Sequence, residues 1–334
     1  MRNPIFDIMK FVAIMAMIVG HCVYDWRRPL IYLWHMPLFF IVSGYFFKPQ
    51  PIINSLKRHT QRLLIPYFIT GLSILAITAF YYTPYNSNLI QDRATILLIG
   101  SINPQQWGMG YPIWFLMALF ICSCTYSILN KTFKSNIYIS AAVLTITSIT
   151  YATIITYSNY APFALLPAGM GLLFFHIGYL FKRYCSIYPK KSYIWWSFSI
   201  IALIVSHNYG SIEMYCNIYP NLIANILGAI GGTFIILQLS NFFYLHFPKI
   251  ALKVAQLGSI SLLILIVHTL DFTFNFSPKI TQHLLFFIND ISPNIAERIL
   301  FALIVSLLLY QIPIVRQALC LSKHQNLDIK TSKS

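Results

Sequence analysis

Apolar residues in this chain come in long continuous blocks, not in alternation with polar ones. Ten blocks stand out, at about 5–23, 30–47, 63–83, 112–129, 136–156, 163–181, 193–207, 221–239, 257–275 and 297–315. A helix needs roughly 20 apolar residues to cross a bilayer, and most of the blocks approach that length; the seventh is short. The two-residue alternation of a membrane β-barrel is missing. The pattern therefore predicts an all-α, polytopic membrane protein with about ten transmembrane helices. The first block contains Asp7 and Lys10 and lacks a small-x-small cleavage site, so it reads as a retained helix, not as a cleaved leader. The longest connection, about 84–111, is rich in Pro, Asn, Gln and Gly and is expected to carry a re-entrant or substrate-facing segment. The organisation expected is one transmembrane domain over 1–322 followed by a short basic tail, 323–334.

Composition supports this reading. Of the 334 residues, 57% are apolar or aromatic and 9% are charged, against about 25% charged in a soluble protein. Mean hydropathy is +0.67. So few charges would not cover a soluble domain, and so much apolar content excludes disorder. The formal charge of +15 is explained by topology, because Lys and Arg collect on the cytoplasmic side of a membrane protein. With ten spans and a cytoplasmic N-terminus, only Arg27, Arg28, Arg93 and Lys279 fall outside, Lys10 falls within the first span and Arg298 at the edge of the last, and the other 17 of the 23 basic residues fall inside. Both termini are then cytoplasmic, and no nucleic-acid partner is needed to account for the charge. The six cysteines form no CxxC pair or disulfide framework and read as packing residues.

Ionisable groups inside a bilayer are costly and are functional candidates by default. Lys10 and His21 are eleven residues apart, which at 100° per residue returns them to within about 20° of the same face, ~16 Å apart along the axis. Asp7 lies within about 60° of both. The plain alternative is an i, i+3 Asp7–Lys10 pair that neutralises itself. The second block starts with Trp34-His35-Met36-Pro37, which puts His35 at a depth similar to His21, with Pro37 expected to kink the helix beside a cavity. A hydrogen bond from His35 to a neighbouring helix would equally account for it. Arg58 and Arg62 are i, i+4 at the start of the third block and suit either phosphate oxygens or lipid headgroups. Trp114 opens the fourth block as a site residue or as part of an aromatic belt. His268 and Asp271, i, i+3, form a candidate His–carboxylate pair, and His176 lies in a Gly-rich block where close helix packing is the expected theme. No metal-ligand spacing, Walker loop or GxSxG elbow occurs.

Taken together these residues resemble the acyltransferase-3 family of integral-membrane acyltransferases, which includes fucose 4-O-acetylase-like and other surface-glycan O-acetyltransferases. The family opens with an Asp, a basic residue and, after ten more residues, a His; here these are Asp7, Lys10 and His21. A His-Met-Pro-Leu-Phe-Phe block with a later Ser-Gly follows, here His35 to Phe40 with Ser43-Gly44. Next come Arg-Leu-Leu-Ile-Pro-Tyr at Arg62 to Tyr67, Trp-Phe-Leu at Trp114 to Leu116, and Gly-x-x-Ser-Leu with a later His at Gly258, Ser261, Leu262 and His268. Some members carry Arg-x-x-Arg before the third span, where this chain has Arg58-x-x-x-Arg62. The resemblance implies transfer of an acetyl group from cytoplasmic acetyl-CoA, a co-substrate and not a permanently bound cofactor, to a hydroxyl of a glycan or lipid-linked glycan across the bilayer. It implies a multi-pass protein of the plasma membrane, the inner membrane in a Gram-negative cell. It makes His21 and Asp7 the catalytic candidates, Lys10, Arg58 and Arg62 the donor-binding ones, and His35, Trp114 and His268 the acceptor-binding ones, with no metal. His21 would act as general base or as transient acyl carrier.

Two other readings remain at this point. A glycan transporter or flippase would also use intramembrane charges, but would more often show paired repeats with interrupted helices, which this sequence lacks. A membrane scaffold would leave the Asp7–Lys10–His21 stripe unexplained.

Overall fold

The structure, a computed structural model, describes residues 3–82, 88–99, 112–158, 160–187, 192–284 and 294–321. Among these the chain is helical throughout, with one isolated β-bridge, Glu213 to Ile218. The helices are α1 (Pro4–Cys22), α2 (Arg27–Tyr32), α3 (His35–Tyr45), α4 (Ile52–His59), α5 (Ile65–Tyr82), α6 (Asn88–Ile99), α7 (Trp114–Thr132) and α8 (Asn136–Thr156). They continue with α9 (Leu165–Tyr184), α10 (Ser192–Tyr209), α11 (Leu222–His246), α12 (Pro248–Ser259), α13 (Ser261–Phe274), α14 (Phe276–Leu284), α15 (Ile295–Gln311) and α16 (Pro313–Ala318). Six segments are long and apolar enough to cross a membrane, or seven if the bent α12–α13 pair is one span. Each of the ten apolar blocks falls on helix. Of the 84–111 connection, 88–99 is α6; the remainder and the 323–334 tail lie outside the described residues.

Local chemistry starts the helices where they start. The Asn3 side chain accepts from the Ile5 N–H and Pro4 takes the first helical position, so α1 begins with its orphan donors partly satisfied. Ser135, Asn221 and Asn294 cap α8, α11 and α15 in the same way. α1 is the hub, touching α2, α3, α11, α12, α13 and α15. Between helices in lipid there is little hydrophobic drive, so close van der Waals fit does the work. Accordingly α3 crosses α9 at glycines: a Cβ on Gly44 would collide with the Phe175 carbonyl, and one on Gly178 with the Ile41 carbonyl. His176, in the same Gly-rich helix, is held by the Tyr126 hydroxyl at 2.9 Å and Ser140 at 2.8 Å, a structural role.

Three expectations change. The second block is not one kinked helix: it breaks at Leu33–Trp34 into α2 and α3, and Pro37 sits in the first turn of α3. There its missing N–H costs nothing, since first-turn donors have no intrahelical partner. The ninth block is bent by 60° at Ile260 between α12 and α13. The pairing of His268 with Asp271 does not form. Asp271 instead receives Arg298 at 2.9 Å and the Ser277 N–H and hydroxyl at 2.7 and 2.9 Å. Arg298 also donates to Asn275 Oδ1 at 2.6 Å. Arg298, in the first turn of α15, is thus buried against α13, because a buried carboxylate needs a charged partner.

Candidate functional site

α1 ends at His21-Cys22, and Gly20 lets the ring of Tyr32 on α2 approach so closely that a Cβ there would lie 2.7 Å from it. This keeps α2 folded back against the end of α1. From the other side α13 arrives. Its direction is set by the bend at Ile260, and the bend is held by Gly258, whose missing side chain lets α12 lie against the Asp7 carbonyl of α1. The Gly-x-x-Ser-Leu sequence is therefore the corner that aims His268. His268 Nε2 lies 3.0 Å from His21 Nδ1, the rings stacked at 5.2 Å with Phe272 beside both. His268 is fully buried, and among the described residues its Nδ1 has no hydrogen-bond partner.

His35 is the first residue of α3. Its Nδ1 lies 2.9 Å from the Ile31 carbonyl. A carbonyl only accepts, so Nδ1 carries the hydrogen and Nε2 keeps its lone pair. For the His21–His268 pair one ring must donate. If His21 Nδ1 donates, its Nε2 is a free base; if His268 Nε2 donates, His21 presents an N–H.

His21, His35 and Trp114 line one cavity of about 30 Å³ with Tyr32 and a short segment that sequence reading did not single out, Ile212 to Tyr215. That volume holds one or two water-sized groups. The segment is a tight loop: the backbone of Glu213 exchanges hydrogen bonds with Ile218 and Asn217 takes the left-handed conformation, which Asn tolerates. Glu213 accepts from the Tyr215 hydroxyl at 3.2 Å and pairs with Arg28 at 3.8 Å; Arg28 lies over the rings of Tyr24 and Tyr32. A carboxylate and phenol side chains thus line the cavity, the carboxylate paired with a guanidinium. The only sequence signal for them was polar character between two apolar blocks. In this loop burial pushes the Cys216 thiol up to about 11, and in the turn between α1 and α2 hydrogen bonds from Arg27 hold the Asp25 carboxyl below the usual carboxylate range.

The remaining candidates lie elsewhere. Asp7 and Lys10 pair with each other at 2.5 Å, fourteen residues and so ~21 Å along α1 from His21 to Asp7. Asp7 is therefore not brought to the imidazoles. Arg58 closes α4 and Arg62 sits in a five-residue π-turn, Thr60–Leu64, packed on α7. Such turns occur frequently at functional sites. The wider π-helical step absorbs one extra residue per turn, so Arg58-x-x-x-Arg62 returns nearly to one face, as Arg-x-x-Arg would in a regular helix. The Arg58 Nε is buried with no partner among the described residues. Those residues contain no group of three or more His, Cys, Asp or Glu placed to hold a metal ion.

A family model described as an acyltransferase domain, that of acyltransferase-3, matches residues 3–312. No curated protein and no solved structure matches the chain.

Proposed function

The chain belongs to the acyltransferase-3 family and is a multi-pass membrane acyltransferase, and from that premise we propose that it carries an acetyl group from acetyl-CoA at its basic end to a hydroxyl of a glycan or lipid-linked glycan at the histidine end. One observation carries the reading: two imidazoles, one with its tautomer set by a backbone carbonyl and the other backed by a third imidazole, face a cavity large enough for a hydroxyl or acetyl group but not for a sugar ring. The acceptor ring would rest outside, against Trp114 and the Glu213 loop.

In this reading His21 Nδ1 donates to His268, and His21 Nε2 takes the proton of the acceptor hydroxyl as its oxygen attacks the thioester carbonyl. The C–O bond forms, the C–S bond breaks, and the CoA thiolate receives the proton back from the imidazolium. His35 Nε2 accepts a hydrogen bond from a neighbouring hydroxyl of the acceptor. Arg58 and Arg62 hold donor phosphates, and Asp7 orients Lys10 towards the same task. Passage through His21 as an acyl carrier would use the same atoms in two steps. General base catalysis typically contributes 10²–10⁴-fold, so His21→Ala is expected to cut acylation by about that factor. The test is acetyl transfer from labelled acetyl-CoA in membranes, with the mass of surface glycans compared with and without the gene. Near-normal acetyl content at equal protein level would remove His21 from the mechanism.

A further inference from the structure

A second and larger cavity, of about 470 Å³, lies at the opposite end of α1. Phe6 on α1, Tyr45 on α3, Phe181 on α9, Trp195 and Phe198 on α10 and Phe234 on α11 are among its walls. It exists because consecutive helices do not pack on each other. α9 lies against α3, α7 and α8, whereas α10 lies along α11, so the two diverge from the short connection that joins them. Trp195 and Phe198 are exposed along this opening.

The walls are apolar apart from a few hydroxyls and one thiol, so water has few partners there and an apolar cavity of this kind stays dry. In a bilayer the surrounding apolar material is lipid chain, and a chain that enters regains the dispersion attraction that an empty void forfeits. At about 30 Å³ for each water-sized group, the volume takes roughly fifteen methylenes. The rim carries a charge: Lys182 lies 5.8 Å over the ring of Tyr45, a wall residue, and Tyr184, Cys185 and Ser186 continue the wall.

We propose that this cavity binds one acyl chain of an anionic phospholipid, with its headgroup phosphate on Lys182. The site is separate from the imidazole cavity, since Phe6 and Met9 lie ~18–22 Å along α1 from His21, and it does not depend on the reaction catalysed.

The test uses the full chain purified after exchange into vesicles of equal parts phosphatidylglycerol and phosphatidylcholine, with retained lipid weighed by native mass spectrometry. One phosphatidylglycerol per chain is expected. Its preference over phosphatidylcholine should be about fivefold or more, given the attraction of a single basic side chain for an anionic headgroup. Lys182→Glu, on an exposed side chain that leaves the fold intact, should bring that preference to near one. Thr233→Phe, which fills the cavity, should lose the bound lipid altogether. Equal retention of both lipids by the wild type overturns the proposal, as does an unchanged preference in Lys182→Glu. If Thr233→Phe does not fold, those two measurements decide it.

Discussion

His268 acts on the site through one atom. Its Nε2 meets His21 Nδ1, and whichever proton lies between them determines whether His21 presents a base or a donor to the cavity. On the proposed mechanism, His268→Ala frees His21 to rotate and tautomerise. It should lower kcat by about 10- to 100-fold, less than loss of the base itself, with little change in acceptor KM; an unchanged kcat would show that the contact is only packing. Arg298 is a different kind of residue. Its charge is matched by Asp271 in a buried site, so Arg298→Ala leaves a buried carboxylate unpaired. Breaking such a pair typically costs about 3–5 kcal/mol, and thermal unfolding in detergent should record a large loss, whereas the double variant Arg298→Met with Asp271→Leu should recover part of it. Cys216 gives a pH prediction. Burial favours the neutral thiol and lifts its pKa to about 11, so at pH 7–8 it is almost wholly protonated and unreactive, because the thiolate is the nucleophile. Maleimide should label the exposed Cys185 and Cys320 first, and labelling of Cys216 should rise only as pH climbs towards 11.

At the scale of elements, two contacts between backbones decide where the imidazoles lie. α3 and α9 approach through reciprocal glycines, Gly44 on the Phe175 carbonyl and Gly178 on the Ile41 carbonyl. Because the obstacle in each case is main chain, it cannot rotate away. Gly178→Val should push the helices apart and lower the melting temperature by several degrees or prevent accumulation, as overpacking costs about 1–3 kcal/mol or more. Gly258 does the same for α12 against α1 at Asp7. The corner it holds is far from the His pair in sequence but sets the line of α13, so Gly258→Val is expected to reduce acyl transfer while the protein still inserts. The break between α2 and α3 follows the same logic: it lets His35 occupy the first turn, where its ring reaches back to the Ile31 carbonyl.

At the scale of the whole molecule, α1 joins two regions of opposite character. Its start lies by the ion pair of Asp7 and Lys10 and the large apolar cavity, and its end lies in the cluster of His21, His35 and His268. The strong bias of Lys and Arg towards one set of connections predicts that the start of α1 and the C-terminus face the cytoplasm. A reporter fused to the C-terminus that is active only in the cytoplasm should therefore be active, and one that needs export should be silent.

The linear pattern alone determined the helical class, the membrane setting and the family, because continuous apolar runs and short spaced motifs are one-dimensional properties. It also pointed to the residues that the structure gathers: His21 and His35 came from two adjacent helices joined by a short turn, and so were near neighbours from connectivity alone. What it did not contain was partner choice across the fold. Asp271 lies one helical turn from His268 and was the obvious partner by spacing, yet Arg298, 27 residues further on, takes it. His268 is thereby left to His21, 247 positions away. The Glu213 loop and the bend at Ile260 were hidden for the same reason. A buried charge pairs with whatever the packing brings within reach, and that is decided by where α1, α13 and α15 cross, a property of three dimensions that no spacing along the chain encodes.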